Sequence, residues 1–195
     1  MNNPALPFIL ITGANGQLGN EFRELHTSFP SFHFYFTSRA ELPVDDQEAV
    51  DRFFAIHQPN YCINCAAYTA VDKAESDQEA AFRINRDAVK HLAKASRQYG
   101  TKLMHISTDY VFNGDSSVPY KEDDETGPGN IYGHSKLEGE KAAIQHNDEA
   151  IAIRTSWVYS SFGANFVKTM LRLMKEHESI GVVNDQTGSP TYAYY

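Results

Sequence analysis

The 195-residue sequence is short of several things at once: it has two cysteines, one tryptophan, no run of lysines or arginines, and no long apolar stretch, the densest being Phe8 to Ile11. Two cysteines cannot build a disulfide framework. Cys62 and Cys65 are spaced C-x-x-C, but no second Cys or His pair stands at zinc-ligand spacing. They fall in an apolar segment that reads as a strand, where positions three apart face opposite sides, so both are expected to be structural. With 25 acidic against 17 basic residues and a net charge of −8, the chain lacks the electrostatic footprint of a nucleic-acid binder. Its apolar runs fall far below the about 20 residues that span a bilayer, and the first residues lack the charged-then-apolar order of a secretory leader. A cytoplasmic protein with no membrane partner is expected. The eight histidines are scattered without paired spacing, so no metal site is expected.

What is present is ordinary globular composition, 42% hydrophobic and 22% charged, in a length that suits one sizeable core. Short apolar segments at Phe8 to Thr12, His33 to Thr37, Tyr61 to Cys65, Leu103 to Ser107 and Ala150 to Arg154 read as strands. Between them, Glu48 to His57, Asp77 to Gln98 and Ile131 to His146 have apolar residues at three-to-four spacing and read as helices, with Ser76 and Glu79 forming a capping box for the second. Alternation of strand and helix implies right-handed crossovers and a doubly wound parallel sheet, with ligands beyond the carboxyl ends of the strands.

Residues 114–130, with Pro119, Gly127, Pro128 and Gly129, read as a long polar loop, and loops of that length are often functional. A further helix is expected over Gly163 to Glu178 and a short strand over Ile180 to Val183. Residues 1–160 are expected to form the main domain and residues 161–195 the start of a substrate-side lobe, incomplete as it stands. The aromatic group Phe32, Phe34, Tyr35 and Phe36 reads as core and strand surface. The run Lys121 to Glu125 reads as a solvated loop, with Asp123 and Asp124 alternatively bordering a substrate mouth.

Thr12-Gly13-Ala14-Asn15-Gly16-Gln17-Leu18-Gly19 follows the first strand and leads into a helix. Glycines there permit a tight turn, close backbone approach to a pyrophosphate and close helix packing, and the helix amino end offers unpaired N–H groups. The spacing is G-x-x-G-x-x-G rather than G-x-G-x-x-G, so a plain glycine-rich turn is the alternative. After the second strand, Ser38-Arg39 stands where an adenosine ribose would lie. An arginine there can pair with a 2′-phosphate, which favours NADPH, or can simply be solvated.

Tyr132-Gly133-His134-Ser135-Lys136 puts a tyrosine and a lysine four apart at a helix start, on one face. An ammonium beside the phenol would stabilise phenolate, letting the tyrosine exchange a proton with a carbonyl oxygen. Ser107-Thr108-Asp109-Tyr110 at the end of the fourth strand supplies a hydroxyl for the same oxygen.

These segments, together with residues 64–75, 154–159 and 185–192, resemble the extended short-chain dehydrogenase/reductase family, on the branch that reduces nucleotide-linked deoxysugars. The resemblance spans nearly the whole chain and implies a nucleotide-binding Rossmann fold. It implies that Thr108, Tyr132 and Lys136 are catalytic, with Tyr132 the acid and Lys136 also on the nicotinamide ribose, and that Asn85 completes a proton relay. Gly13, Asn15, Gly16, Gln17, Leu18 and Gly19 would contact the pyrophosphate, and Ala66, Ala67 and Tyr68 would line the cofactor cleft. Val71, Asp109, Tyr110 and Trp157 would face the sugar nucleotide. The implied reaction is reduction at C4 of dTDP-4-dehydro-L-rhamnose by NADPH or NADH to dTDP-L-rhamnose, the partners being this dTDP-sugar and, as a candidate assembly, a second copy in a homodimer.

Two departures accompany the likeness. Relatives commonly place an aspartate after the Glu-Leu that follows the second strand, where this chain has Pro43, so Asp45 or Asp46 would have to supply that adenine contact. Relatives also continue beyond Gly188-Ser189-Pro190-Thr191-Tyr192. Two rival readings stay open. A sugar-nucleotide epimerase or dehydratase would share the glycine turn and Tyr/Lys pair, although the dehydratases put a glutamate where Tyr110 stands. A regulatory domain would bind NADP without catalysis.

Overall fold

The computed structural model describes residues 6–194; residues 1–5 and 195, at the outer ends of the two expected units, lie outside it. Seven strands, β1 (Phe8–Thr12), β2 (His33–Thr37), β3 (Tyr61–Asn64), β4 (Lys102–Thr108), β5 (Ile151–Thr155), β6 (Val158–Tyr159) and β7 (Thr191–Tyr192), form two sheets. The main sheet has five parallel strands in the order β2-β1-β3-β4-β5, and β6 pairs with β7 in a separate parallel ribbon. Seven α-helices are described: α1 (Gln17–Leu25), α2 (Gln47–His57), α3 (Val71–Ala74), α4 (Gln78–Phe82), α5 (Ala88–Tyr99), α6 (Ile131–His146) and α7 (Phe166–Glu176). Strand order reverses between β1 and β3, so the doubly wound rule places the ligand crevice beyond their carboxyl ends.

The register explains how one sheet face changes character along its length. Leu10, Cys62 and Leu103 sit side by side on β1, β3 and β4, and with Val50 and Phe54 of α2 and Leu92 of α5 they form the buried core. Two residues further along, the same face carries Thr12, Asn64 and His105, again in register. All three are buried, so the sheet ends in a polar row that must satisfy itself internally.

Local chemistry sets the helix ends. Asp46 caps α2 by accepting from the Ala49 N–H at 3.1 Å, Asn130 caps α6 through the Gly133 N–H at 2.7 Å, and Asn165 caps α7 through the Lys168 N–H at 3.0 Å. The expected Ser76/Glu79 capping box does not form. Because α3 ends immediately before it, the Ser76 hydroxyl donates back to the Lys73 carbonyl, and Asp77 precedes α4 without a side-chain cap bond. The single helix expected over Asp77 to Gln98 is interrupted by a π-helical turn at Arg83–Asp87.

The strand expected at Ile180 to Val183 is also absent from the described elements. Val182 and Val183 are exposed, and Thr191–Tyr192 takes the pairing position beside β6 instead. At the β2 edge, Phe34 and Phe36 stack with ring centroids 6.1 Å apart while Tyr35 packs on Phe53 and His57. Cys62 and Cys65 are free thiols, and burial raises the pKa of both, Cys65 to about 12. Among the described residues, no helix is long and apolar enough to cross a membrane.

Candidate active site

The glycine turn joins β1 to α1 at the strand-order reversal. Gly13 has φ +65°, and a Cβ there would lie 2.5 Å from the Ala66 nitrogen, so only glycine lets the exits of β1 and β3 come together. The Gly16 N–H closes the turn on the Gly13 carbonyl at 2.9 Å. Gly19 lets α1 settle on the turn itself, since a Cβ there would be 2.5 Å from Ala14 Cα. Gly16 caps α1 with no side-chain bond, and the first helical turn holds no acidic residue, so its N–H groups and positive dipole end have no built-in anion. Asn15 is exposed and Leu18 partly buried in this turn. Gln17 reaches away to accept from Asn165 Nδ2 at 3.0 Å.

At the adjacent exit of β2, Ser38 and Arg39 are engaged by carboxylates that sequence reading did not pair with them. Both the Ser38 N–H and its hydroxyl donate to Glu41 at 2.7 Å. Arg39 pairs with Asp45 at 3.2 Å, and Arg83 reaches the same carboxylate at 3.4 Å. Arg83 belongs to the π-helical turn, 44 positions from Arg39, so no local pattern announced the partnership. Asp46 is spent on capping α2.

Thr108 ends β4, its hydroxyl donating to Asp109 Oδ1 at 3.0 Å. Burial raises the pKa of the Tyr132 phenol, the neighbouring Thr108 hydroxyl opposes the rise, and Asp109 and Tyr110 add to it. Tyr110 packs edge-on to the Tyr132 ring with centroids 5.6 Å apart. Asp109 also accepts from the Ser156 hydroxyl at 2.8 Å. Thr108, Asp109, Tyr110 and Tyr132 therefore meet at one point beyond β4.

Lys136 shares a helix face with Tyr132, as the spacing requires, but its amine does not sit as an ammonium against the phenol. The stem runs inward under β4, where Nζ donates to the Ile106 carbonyl at 2.6 Å and lies 3.5 Å from His105 Nε2. Burial lowers its pKa to about 8, partly opposed by the negative charge of Glu140 and by Cys65. Glu140 is itself held by Arg154 at 2.8 and 3.0 Å. Among the described residues no hydrogen bond joins the Lys136 amine to the Tyr132 phenol; the amine lies buried beneath β4 on the Ile106 carbonyl instead.

Asn85 sits in the π-helical turn, and its carboxamide clamps two segments. Oδ1 accepts from the Tyr68 N–H at 2.8 Å, while Nδ2 donates to the Tyr68 carbonyl at 3.0 Å and to the Ser135 hydroxyl at 2.9 Å. Ser135 in turn donates to the Tyr132 carbonyl at 2.7 Å. Gly139 of α6 lies against the Asn85 carbonyl, where any Cβ would collide with it. The extra residue of a π turn, often found at functional sites, presents Asn85 to the tyrosine helix. Ala66, Ala67 and Tyr68 line the segment leaving β3, with Ala66 N donating to Asn64 Oδ1 at 3.1 Å, and Val71 begins α3.

Trp157, at φ +50°, packs against Phe166 at 5.4 Å and over Gly188, whose missing Cβ would be 2.5 Å from the indole nitrogen. Beside Asp109 a cavity of about 580 Å³ is lined by Phe112, Tyr120, Lys121, Glu122, Arg154 and Gly188, among others. Lys121 and Glu122, not Asp123 or Asp124, reach this border. Arg154 lies over the Phe112 ring at 4.9 Å. No local pattern gives Arg154 a role, because Glu140 and Phe112 become its neighbours only when β5, α6 and the loop after β4 assemble.

Comparison with known proteins matches residues 8–195 to a family described as RmlD substrate binding domain. A dTDP-4-dehydrorhamnose reductase of Aggregatibacter actinomycetemcomitans is 42% identical over 185 residues, 95% of this chain and 63% of that protein. A solved dTDP-4-dehydrorhamnose reductase of Clostridium acetobutylicum superposes with TM-score 0.93 at 43% identity, and one of Bacillus anthracis, solved in complex with NADP, with TM-score 0.92 at 43%. Each superposition covers 96% of this chain and 66% of the other. The chain thus spans a little under two thirds of the length of these relatives.

Proposed function

Because the chain belongs to the RmlD substrate binding domain family, we propose that it is the part of an NAD(P)H-dependent reductase that holds the cofactor and the proton donor, reducing the C4 keto group of dTDP-4-dehydro-L-rhamnose to dTDP-L-rhamnose. The observation that carries this reading is the meeting of Thr108, Tyr132 and Tyr110 beyond β4, on the sheet end that also carries the uncapped glycine turn.

The residues fit a dinucleotide. Gly13 and Gly19 let the turn pack against Ala66 and Ala14 with no side chain between, Gly16 has only the Gly13 carbonyl oxygen near where a Cβ would stand, the first turn of α1 presents free donors, and the buried Ser107 hydroxyl beside Thr108 has no protein partner. Gly13, Asn15, Gly16, Gln17, Leu18 and Gly19 would hold the pyrophosphate. Ala66, Ala67 and Tyr68 would line the cleft, with Lys136 and Tyr132 at the nicotinamide end. Ser38 and Arg39, with Arg83 beside it, would take the adenosine ribose, and an arginine pair favours a 2′-phosphate. NADPH would supply the hydride.

The protein's own part is proton delivery. Tyr132 keeps its proton at neutral pH because burial and Asp109 disfavour phenolate, so it can donate as negative charge develops on the C4 oxygen, with the Thr108 hydroxyl bonding the same atom. Asn85 holds the tyrosine helix in register. Val71, Asp109, Tyr110 and Trp157 would face the sugar nucleotide, with the cavity beside Asp109 as room for it. Residues 1–160 would be the cofactor domain and 161–195 the start of the substrate lobe, with the β6-β7 ribbon joining the two across that boundary. The reaction would take place in the cytoplasm, and light scattering tests whether the chain forms the homodimer that is its candidate assembly.

The decisive assay follows NADPH absorbance on adding dTDP-4-dehydro-L-rhamnose, with cofactor binding measured separately by calorimetry. Substrate-dependent oxidation supports the reductase. Binding without oxidation would leave a cofactor domain without turnover, and absence of both would overturn the reading.

A further inference from the structure

Asp45 lies in the loop between β2 and α2, where its carboxylate oxygen Oδ2 meets two guanidinium groups, Arg39 at 3.2 Å and Arg83 at 3.4 Å. The cluster borders the glycine turn, because the Ala14 N–H donates to the Thr37 carbonyl at 3.1 Å and residues 38–39 follow directly from β2. We infer that Asp45 is a specificity-determining residue for the cofactor: its carboxylate occupies the arginine pair that a 2′-phosphate would need, and so holds down the preference for NADPH over NADH. The inference rests on the reductase reading, and within it on the placing of the adenosine ribose at Ser38 and Arg39.

The acid is fixed while the arginines are free to turn. Leu42 and Val44 are buried, the Val44 carbonyl accepts from His91 Nδ1 at 3.2 Å, and Asp46 is committed to capping α2, so the backbone is held on both sides of Asp45. Its side chain is 13% exposed, against 73% for Arg39 and 44% for Arg83. A 2′-phosphate must therefore draw the guanidinium groups outward. Doing so leaves a mostly buried carboxylate without its partners, and that penalty weakens NADPH.

Charge points the same way. Two arginines and one aspartate carry a net charge of +1, whereas the arginines alone would offer both charges to a phosphate carrying about −2. The 2′-hydroxyl of NADH is uncharged and donates to a carboxylate, the usual contact of that cofactor in this fold. For NADH, Asp45 is a partner; for NADPH it is a rival. The neighbouring acids are placed differently: Glu41 is taken up by the Ser38 N–H and hydroxyl at 2.7 Å, and Glu79, 95% exposed and 4.0 Å from Arg83, is screened by water.

Calorimetry of NADPH and NADH on the same purified chain gives the ratio of the two dissociation constants, with no need for turnover. Asp45→Asn preserves size and polarity, leaves the Asp46 cap in place and frees both arginines. It should tighten NADPH by about tenfold, the combined effect of two solvent-facing ion pairs, and bind NADH no more tightly than wild type. In an Arg39→Ala background the gain should fall to about threefold, since one of the two arginines is gone. Glu48→Gln removes the same charge from an 86% exposed residue of α2 and should leave the ratio unchanged. An Asp45→Asn ratio within about twofold of wild type, an equal shift in Glu48→Gln, or an undiminished gain without Arg39 overturns the inference. If Asp45→Asn fails to fold by circular dichroism, the same ratio is read on Asp45→Ser. A wild-type chain that binds neither cofactor overturns the reductase reading and the inference with it; one that binds both, with the ratio unmoved by Asp45→Asn, overturns the inference alone.

Discussion

Replacing Gly19 with alanine sets two effects of known size against each other. Gly19 lies in the first half of α1, where alanine is worth about 1 kcal/mol more than glycine in helix propensity. The added methyl, however, would lie 2.5 Å from Ala14 Cα and 2.7 Å from the Ala14 carbonyl carbon and oxygen. Carbon pairs rest at about 3.5–4.0 Å, so α1 must retreat by about 1 Å. The obstructing atoms are backbone of the glycine turn and cannot swing aside. Overpacking of this kind costs about 1–3 kcal/mol, and with three backbone atoms in the way the upper end applies, leaving a net loss of about 2 kcal/mol. For a chain of this size that lowers Tm by about 4–8 °C.

Retreat of α1 also withdraws its free N–H groups from the pyrophosphate. Losing one hydrogen bond to a charged group, about 1.5 kcal/mol, weakens NADPH at least about tenfold. Thermal unfolding and calorimetry on the same variant give both numbers. A Tm equal to or above wild type would mean that propensity wins and that the helix does not rest on the turn as described.

Tyr132→Phe should bind NADPH normally yet lose about a hundredfold or more in turnover, measured by NADPH oxidation; unchanged turnover would remove the proton donor. Gly16→Val, with only the Gly13 carbonyl oxygen 3.3 Å from its Cβ, should unfold near wild-type temperature while losing NADPH affinity by calorimetry, and retained affinity would reject the glycine turn as the pyrophosphate site. Arg39→Ala should weaken NADPH by about tenfold and NADH far less, and equal losses would remove the 2′-phosphate role. Lys136 has a folded pKa of about 8 against 10.5 unfolded, so between those values the unfolded chain holds a proton that the folded chain has released. Its contribution therefore makes stability rise with pH across that window, by on the order of 3 kcal/mol, and urea unfolding of Lys136→Met should lack the rise.

Much of this protein was legible in one dimension because the signals are local. The apolar run at Phe8 to Ile11 reads as a strand because it is too short for a helix and is followed at once by a glycine turn. The glycine spacing after it needs nothing beyond chain sterics to require a tight turn, and Tyr132 and Lys136 share a face because a helix has 3.6 residues per turn. The resemblance carried by residues 12–19, 106–112 and 132–136 reached the right family for the same reason: the chemistry is written in short contiguous motifs.

What sequence could not reach were directions and partnerships set by packing. Spacing placed Lys136 on the tyrosine's face, but only the assembled sheet offered its amine the Ile106 carbonyl and the His105 ring, 30 and 31 positions away. Arg39, Asp45 and Arg83 became one cluster only when the π turn met the loop after β2. Ser76 read as a cap until α3 placed a carbonyl nearer, and Ile180 to Val183 read as a strand although no neighbour offered it a ladder. Propensity and periodicity belong to the chain and can be read from it; a hydrogen bond belongs to whichever donor and acceptor the fold brings within about 3 Å, and in the buried row Thr12, Asn64, His105 and Lys136 that choice was made by the register of three strands and the approach of one helix.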